Sequence, residues 1–310
     1  MVDVRRLHIL REVARQGSFA KAATALLLTP SAVSQQIAAL ERSLGLPVVE
    51  RSTRGVQLTQ PGRIMVEAAD AVALELAGAQ SRISELVTGR SGSLCIETFS
   101  SGGQLLLPGA LAQLTADHSG IEITVTEAEL DQSIAHVRDG STDLALTFHF
   151  DGPYAPEGQL SWTPLLSDPL LAVLPPGHRL ADRASLSLAD LADEPWILGC
   201  QVAGTALAHY AAVAGFRPRV VCRSSDFVFA QSLVAAGIGI SLIPRSTLTS
   251  TPRTANGLPP VSTLPLHGPS PRRHIGALTT SGRWPRPLVD GMLQALLDTA
   301  RAHTPEVSRG

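Results

Sequence analysis

Apolar residues recur at helical spacing through the first ninety residues, and residues that start or stop helices bound each run. Leu7, Leu10, Val13 and Ala14 form one stripe over Val4–Gln16, with Asp3 placed to cap its start and Gly17 to end it. A short second helix is predicted over residues 19–26 beneath a cap at Ser18. The turn Leu27-Leu28 follows, then Thr29 as cap and Pro30 at the first helical position, where a missing N–H costs nothing. The helix begun there runs to about Ser43 and stops near Gly45-Leu46-Pro47. Val33, Ile37, Leu40 and Leu44 share its apolar face, so the three helices have a common core.

The opposite face carries Ser31, Ser34, Gln35, Ala38 and Arg42. Two short helices across a tight turn form a helix-turn-helix, whose second helix enters the DNA major groove. Gln35 can hold an adenine bidentately, Ser31 and Ser34 can meet a base or a phosphate, and Ala38 can pack on a thymine methyl. The caps Ser18 and Thr29 belong with this surface. Downstream, Val48-Val49 and residues 56–58 flank Ser52-Thr53-Arg54-Gly55, which predicts a hairpin. Such a hairpin is a wing, with Arg51 and Arg54 at the edge and tip where phosphates or the minor groove would lie. Charge supports the reading. Residues 1–65 hold nine Arg/Lys against four Asp/Glu, a balance of +5, whereas the remainder holds sixteen against twenty-three, or −7.

A long helix is predicted from Thr59, its cap, to about Thr88, with Pro61 tolerated in the first turn and Gly89 as the stop. Met65, Ala69, Val72, Leu76, Ala79, Ile83 and Leu86 recur every 3.5 residues on average, which keeps one seam facing a partner helix. This seam predicts a dimer, and a dimer of helix-turn-helix units reads two half-sites of a DNA site with interrupted dyad symmetry. Arg90-Ser91-Gly92-Ser93 reads as a hinge.

Beyond it the pattern alternates between strands and helices. Strands are predicted at 94–99, 121–126, 143–147, 162–166, 170–174, 196–198, 219–222, 240–243 and 274–278. Helices are predicted at 105–115, 133–138, 187–191, 205–214, 226–236 and 287–302. The alternation predicts an α/β domain of parallel sheets with helices on both faces, in two lobes. The Pro/Gly-rich stretch 251–273 reads as a return crossover.

The series Gly17-Ser18-Phe19, Ala22-Ala23, Leu26, Thr29-Pro30-Ser31-Ala32-Val33-Ser34, Ile37, Leu40-Glu41, Leu44-Gly45, Glu50-Arg51, Leu58-Thr59 and Gly62 resembles the N-terminal signature of LysR-type transcriptional regulators. It spans about sixty residues with the spacing kept, and departs where the family has Leu-Phe before Glu50-Arg51 and this chain has Val48-Val49. Residues 233–244, LVAAGIGISLIP, carry the match in the second half. The resemblance implies a winged helix-turn-helix over 1–59, a dimerising linker helix over 60–89 and an effector-binding domain over 90–302. That domain has a periplasmic-binding-protein-like fold, with lobe I about 90–161 and 267–302 and lobe II about 162–266. Residues 303–310 would be a flexible tail. It also implies a homodimer that pairs again into a homotetramer, and control of DNA binding or promoter activation by a small-molecule effector in the interlobe cleft.

In open parallel sheets, ligands sit outside the carboxyl ends of the strands, where helix N-termini point. This rule nominates Ser100, Ser101, Thr147, His149, Cys200, Thr205, Ser225 and Phe227 as effector contacts as a set, although for any single hydroxyl among them a helix cap is the commoner role. Free N–H groups and hydroxyls there favour a small anion.

Enzymatic readings find little. Lys21 is the single lysine, which excludes a Walker A loop and a lysine Schiff base. Leu242 stands where a third glycine would complete a dinucleotide fingerprint after Gly237 and Gly239, and the nine histidines show no metal spacing. No catalytic residue, metal or cofactor is expected. Cys95, Cys200 and Cys222 form no CxxC pattern. Some LysR-type proteins sense peroxide through a cysteine pair, and Cys200 with Cys222 would be the pair to meet in one lobe, although buried apolar thiols are the commoner fate. With no apolar N-terminal stretch and no bilayer-length run, a cytoplasmic protein without a membrane partner is expected. Two alternatives stay open: a lobe protein carrying a vestigial winged helix, and an architectural DNA-binding protein with no effector.

Overall fold

The computed structural model describes residues 2–52, 55–88, 92–150, 156, 158–224, 226–250, 260–280 and 286–303. The N-terminal unit is three helices, α1 (Val4–Gln16), α2 (Phe19–Ala25) and α3 (Pro30–Leu44), followed by an antiparallel hairpin of β1 (Val49–Ser52) and β2 (Gly55–Leu58). The caps act where the sequence puts them. Asp3, Ser18 and Thr29 accept from the backbone N–H groups of Arg5, Lys21 and Ala32, and Gly17 and Gly45 close α1 and α3 in the left-handed region. Leu10, Val13, Ala22, Val33, Ile37, Leu40 and Val48 make one buried cluster, with Val49 packed on it. The wing base is therefore filled even by the smaller Val48-Val49 pair. The Glu41 carboxylate accepts from the N–H groups of Val48 at 3.0 Å and Val49 at 3.4 Å, which ties the wing to α3.

Helix α4 (Gln60–Thr88) has 29 residues, a length of about 43 Å. Thr59 caps it, its hydroxyl accepting from the N–H of Gly62 at 3.1 Å. The predicted seam divides. Met65 packs on the N-terminal core and Ala69 is buried, so these two are covered within the chain rather than offered to a partner. Val72 is half-buried, Ala79 is exposed, and Leu76 and Ile83 are 54 % and 59 % exposed. Leu86 falls in the last turn by its backbone, and Gly89 lies outside the described residues.

The larger unit follows in chain order as β3 (Ser93–Thr98), α5 (Ser100–Asp117), β4 (Glu122–Glu127), α6 (Leu130–Asp139), β5 (Leu144–His149) and β6 (Leu160–Leu174). A 3-10 turn (Leu188–Leu191) then leads to β7 (Pro195–Leu198), α7 (Gln201–Val213), β8 (Arg219–Arg223), α8 (Phe227–Ala235) and β9 (Ser241–Pro244). The chain ends with α9 (Arg245–Ser250), β10 (Ser262–Leu264), β11 (Arg272–Thr280) and α10 (Pro287–His303).

Its main sheet has seven strands in the order β10-β6-β11-β5-β3-β4, with β9 also on β6. The sheet is mixed rather than parallel as expected: β3 runs parallel to β4 and β5, whereas β11 pairs antiparallel with both β5 and β6. The two strands expected at 162–166 and 170–174 are one strand of 15 residues. Its first part pairs with β11 and its last part with β9 and β10, so one strand passes from lobe to lobe. Leu94, Ile96, Leu144, Leu146, Met292 and Leu296 centre the first core, and Leu174, Leu191, Trp196, Val234 and Ile243 the second. Leu165 and Leu166 pack with the first, which puts the lobe division nearer Asp168 than Trp162. The predicted return crossover contributes β10 to the edge of β6.

Helix α5 starts five residues before the predicted position. Gly102 lies in its first turn, where a side chain would collide with the Phe99 ring, which occupies that space. Helix α6 is also longer than predicted, and it brings the two halves of the chain together: Asp139 lies 3.8 Å from Arg11 of α1, and Arg138 lies 4.0 Å from Asp70 of α4.

Asp70 is 8 % exposed. Burial pushes its carboxyl up to about 6, helped by Asp139 and Glu67 and opposed by Arg138 and Arg11. The folded pKa thus lies above the ordinary carboxylate value, so the folded state gains protons relative to the unfolded chain between the two values and loses stability as pH rises through that window. Asp70→Asn should therefore match the parent near pH 4 and become the more stable protein as pH rises to about 7, as measured by denaturant unfolding across that range. An unchanging difference between the two proteins would contradict this.

Candidate functional site

Two surfaces carry the predicted chemistry. On α3, Ser31, Gln35 and Arg42 are exposed and Ser34 and Ala38 half-buried, all opposite the buried Val33-Ile37-Leu40 face. Gln35 and Arg42 make no side-chain hydrogen bond or ion pair with another described residue, so both remain available to a partner. Thr29 is occupied at the helix start, accepting from Ala32 N–H at 3.2 Å and sharing a hydrogen bond with Ser31 Oγ at 3.0 Å. Ser18 caps α2 through a longer bond of 3.5 Å. Arg51 is placed in β1 by its backbone, opposite Val56, and Arg54 lies outside the described residues.

The second surface is a cavity of about 1080 Å³ between the lobes. Of the nominated residues it gathers Ser100, Ser101, Cys200, Thr205 and Phe227. Ser225 lies outside the described residues. Thr147 and His149 do not line it. Successive side chains of a strand point to opposite faces, and on β5 it is Phe148, between them, that faces the cavity. Thr147 is buried on the other face, accepting from Trp162 Nε1 at 3.1 Å, and His149 stacks there on His274 with ring centroids 5.4 Å apart.

The floor of the cavity is a group that the strand-end rule does not nominate. Arg273 on β11 has no exposed surface. Its Nη2 donates to Asp168 Oδ2 at 2.8 Å and Ser246 Oγ at 3.1 Å, and its Nη1 donates to Ser101 Oγ at 2.8 Å. The rings of Phe99, Phe148 and Phe227 surround the guanidinium, their centroids 5.3, 5.5 and 5.9 Å from Cζ. Burial pulls its pKa below the ordinary value, and the charge and hydrogen bond of Asp168 oppose that pull. Asp168 also closes α9, accepting from Ser246 N–H at 3.1 Å and from its hydroxyl at 2.7 Å. One side of the cavity carries the carboxylates Glu127, Glu129 and Asp131, and Arg223 with Asp226 stands in the lobe II wall.

Helix α5 has Phe99 at its cap position and no side-chain cap; the N–H groups of Gly102 and Gly103 bond to Phe99 O, and the first two N–H groups lie ahead of the first intrahelical bond. Ser101 Oγ accepts from Arg273, so its own hydroxyl proton is left to donate. Hydroxyls, a helix start and a buried cation at one point can receive a small anion, and three phenyl rings beside them can cover an apolar body.

None of the three cysteines is in a disulfide. Cys200 lines the cavity, Cys222 packs against the lobe II core, and burial with the nearby Asp143, Glu122 and Glu97 pushes the Cys95 thiol pKa up. Among the described residues no group of three or more His, Cys, Asp or Glu could hold a metal, and no helix is long and apolar enough to cross a membrane.

Removing one partner of a buried ion pair strands the other, at a cost of about 3–5 kcal/mol. Asp168→Ala should therefore lower the unfolding free energy of the lobed domain by roughly 3 kcal/mol or more, whereas Asp168→Leu combined with Arg273→Met should cost less. Thermal and denaturant unfolding of the three proteins checks this, and a single substitution costing under about 1 kcal/mol would contradict it.

Comparison with known proteins identifies both domains. Residues 4–63 match the domain described as "Bacterial regulatory helix-turn-helix protein, lysR family", and residues 88–301 match the LysR substrate binding domain. The chain is 32 % identical over 285 residues to a probable hydrogen peroxide-inducible genes activator of Mycobacterium avium, covering 87 % of this chain and 86 % of that one. It is 31 % identical over 273 residues to the HTH-type transcriptional regulator CfxR of Cupriavidus necator, covering 86 % and 83 %. In fold it is similar to full-length BenM, with TM-score 0.59, 22 % identity and 97 % and 98 % of the two chains covered. It is likewise similar to full-length CbnR complexed with target DNA, with TM-score 0.54, 22 % identity and 96 % and 100 % coverage. A capped helix-turn-helix with its wing, joined by one long helix to a two-lobed substrate-binding domain, makes this chain a member of the LysR family of transcriptional regulators.

Proposed function

We propose that this LysR-type regulator reads a promoter site of interrupted dyad symmetry in double-stranded DNA, and that a small-molecule effector in the interlobe cavity controls that reading. The observation that carries it is the pairing, in one chain, of an open polar α3 face with a cavity of about 1080 Å³. Gln35, Ser31, Ser34 and Ala38 read base edges, while Arg42, the caps Ser18 and Thr29 and the wing residues Arg51 and Arg54 hold the backbone. Two chains pair along α4 through Leu76, Ala79, Ile83 and Leu86, with Val72 at the margin, and pairs associate again into a tetramer. Met65 and Ala69 serve the intrachain packing instead. The effector is held by Ser100, Ser101, Thr205, Cys200 and Phe227 over Arg273, and it carries a small anionic group. Its domains divide at about residues 59 and 89, and it acts in the cytoplasm with the DNA.

The effector controls DNA only through differential affinity for two arrangements of the protein, since equal affinity shifts nothing. A footprint of the full-length protein on its own upstream DNA tests the reading. The parent should protect a dyad-symmetric site, and Gln35→Ala should weaken that protection by about 1–3 kcal/mol, roughly 5- to 150-fold, at fixed salt. Equal, salt-labile binding of both proteins everywhere would leave phosphate contact alone and contradict it.

A further inference from the structure

Helix α6 reaches the cavity with one end and the DNA-binding half of the chain with the other. It has ten residues and is about 15 Å long. Leu130, Asp131 and Gln132 at its start line the cavity. At its far end Asp139 lies 3.8 Å from Arg11 of α1, and Arg138 lies 4.0 Å from Asp70 of α4. Gly140, just past the helix, rests on α4 itself: a Cβ there would come within 3.1 Å of Ala77 Cβ and 3.2 Å of Leu74 Cδ1. Its φ of +78° asks for glycine a second time.

Between its ends α6 is fixed to lobe I. Ser133 and Val137 are buried, and His136 Nδ1 lies 2.7 Å from Glu97 Oε1 on β3. The helix therefore moves with its lobe. Its contact with α1 and α4 is the lighter one, since both ion pairs sit at the long limit of contact and partly exposed pairs contribute little. A contact of that kind can open without unfolding either half.

The contact also leaves the other side of α4 clear. Asp70, Leu74 and Ala77 are spaced 4 and 3 apart and form one face. At 3.6 residues per turn, the exposed Leu76 and Ile83 lie roughly 140° away around the axis. Pairing through those two and docking of α6 are compatible on one helix.

We propose that α6 is an intrachain lever: lobe movement at the cavity shifts it on its seat against α1 and α4 and so resets the DNA-reading unit. This rests on the cavity being the effector site. It makes the DNA and the cavity two ends of one equilibrium, so coupling runs equally in both directions, and DNA must be felt at α6 even with no effector present.

Hydrogen–deuterium exchange of the full-length protein, free and bound to a duplex of its own upstream DNA, tests this. Amides of α6 should change exchange rate at least about fivefold on DNA binding, the lower end of ordinary allosteric coupling. Ala77→Trp puts a wedge on α4 beneath Gly140 and touches neither the cavity nor α3; the duplex should still be protected, and the α6 response should fall below about twofold. Arg11→Glu, which sets a carboxylate against Asp139, should do the same by charge, and serves if the wedge impairs folding. Identical α6 exchange with and without bound DNA would overturn the lever, as would a full response in both variants. Absence of any protected site would overturn instead the regulator reading beneath it.

Discussion

A guanidinium and a carboxylate buried together decide where the two lobes meet. Arg273 and Asp168 sit side by side on β11 and β6, the strands that run through the sheet, and neither has water to solvate it. Burial of either charge alone would cost several kcal/mol, so each is tolerated only beside the other, with both terminal nitrogens of the guanidinium hydrogen-bonded and Nε left without a partner. That requirement draws Ser101 from the start of α5 and Ser246 from the start of α9 to the same point, with three phenyl rings closing around the cation. The cavity is the space left above this knot. Its polar floor is thus a consequence of how the lobes are joined.

The N-terminal half is built on the opposite principle. Its elements are set by neighbours in sequence: a cap two or three residues before the N–H it accepts from, a glycine one residue past a helix, an apolar stripe at helical spacing. These signals are local, and the three helices, the wing and the start of α4 were all legible from them. Even Leu27, exposed and at φ 55° in the turn, follows from the tight link between Leu26 and Thr29. The cost of its left-handed backbone is carried by the helices on either side.

The lobed half was legible in its α/β alternation and less so in its pairing. Asp168 interrupts an apolar run, and an acid there looks like a turn until its partner 105 residues away is known. The same blindness hid Arg273 and made β6 two strands instead of one. On β5 the error was one of parity: Thr147 and His149 were nominated where Phe148 faces the cavity, because register is fixed by strands distant in sequence. Helix α5 is predicted only from Leu105, because its first turn contains Gly102, whose missing side chain leaves room for the Phe99 ring. A lone acid in the apolar run of β6, and an arginine that alternates into the buried face of β11 with Ile275 and Ala277, were the signal that could have exposed the floor of the site.

Helix α4 joins the two halves and has three environments along it: buried against the N-terminal core at Met65 and Ala69, seated under α6 at Leu74 and Ala77, and open at Leu76 and Ile83. The central claim for the whole chain is that it discriminates DNA sequence. The direct measurement is a titration of the full-length protein with its own upstream duplex and with a shuffled duplex of the same length and composition, across a range of salt. The expected result is a preference of about 10³-fold or more for the upstream duplex at physiological salt, with both affinities falling as salt rises. Equal affinity for the two duplexes at every salt concentration would contradict it.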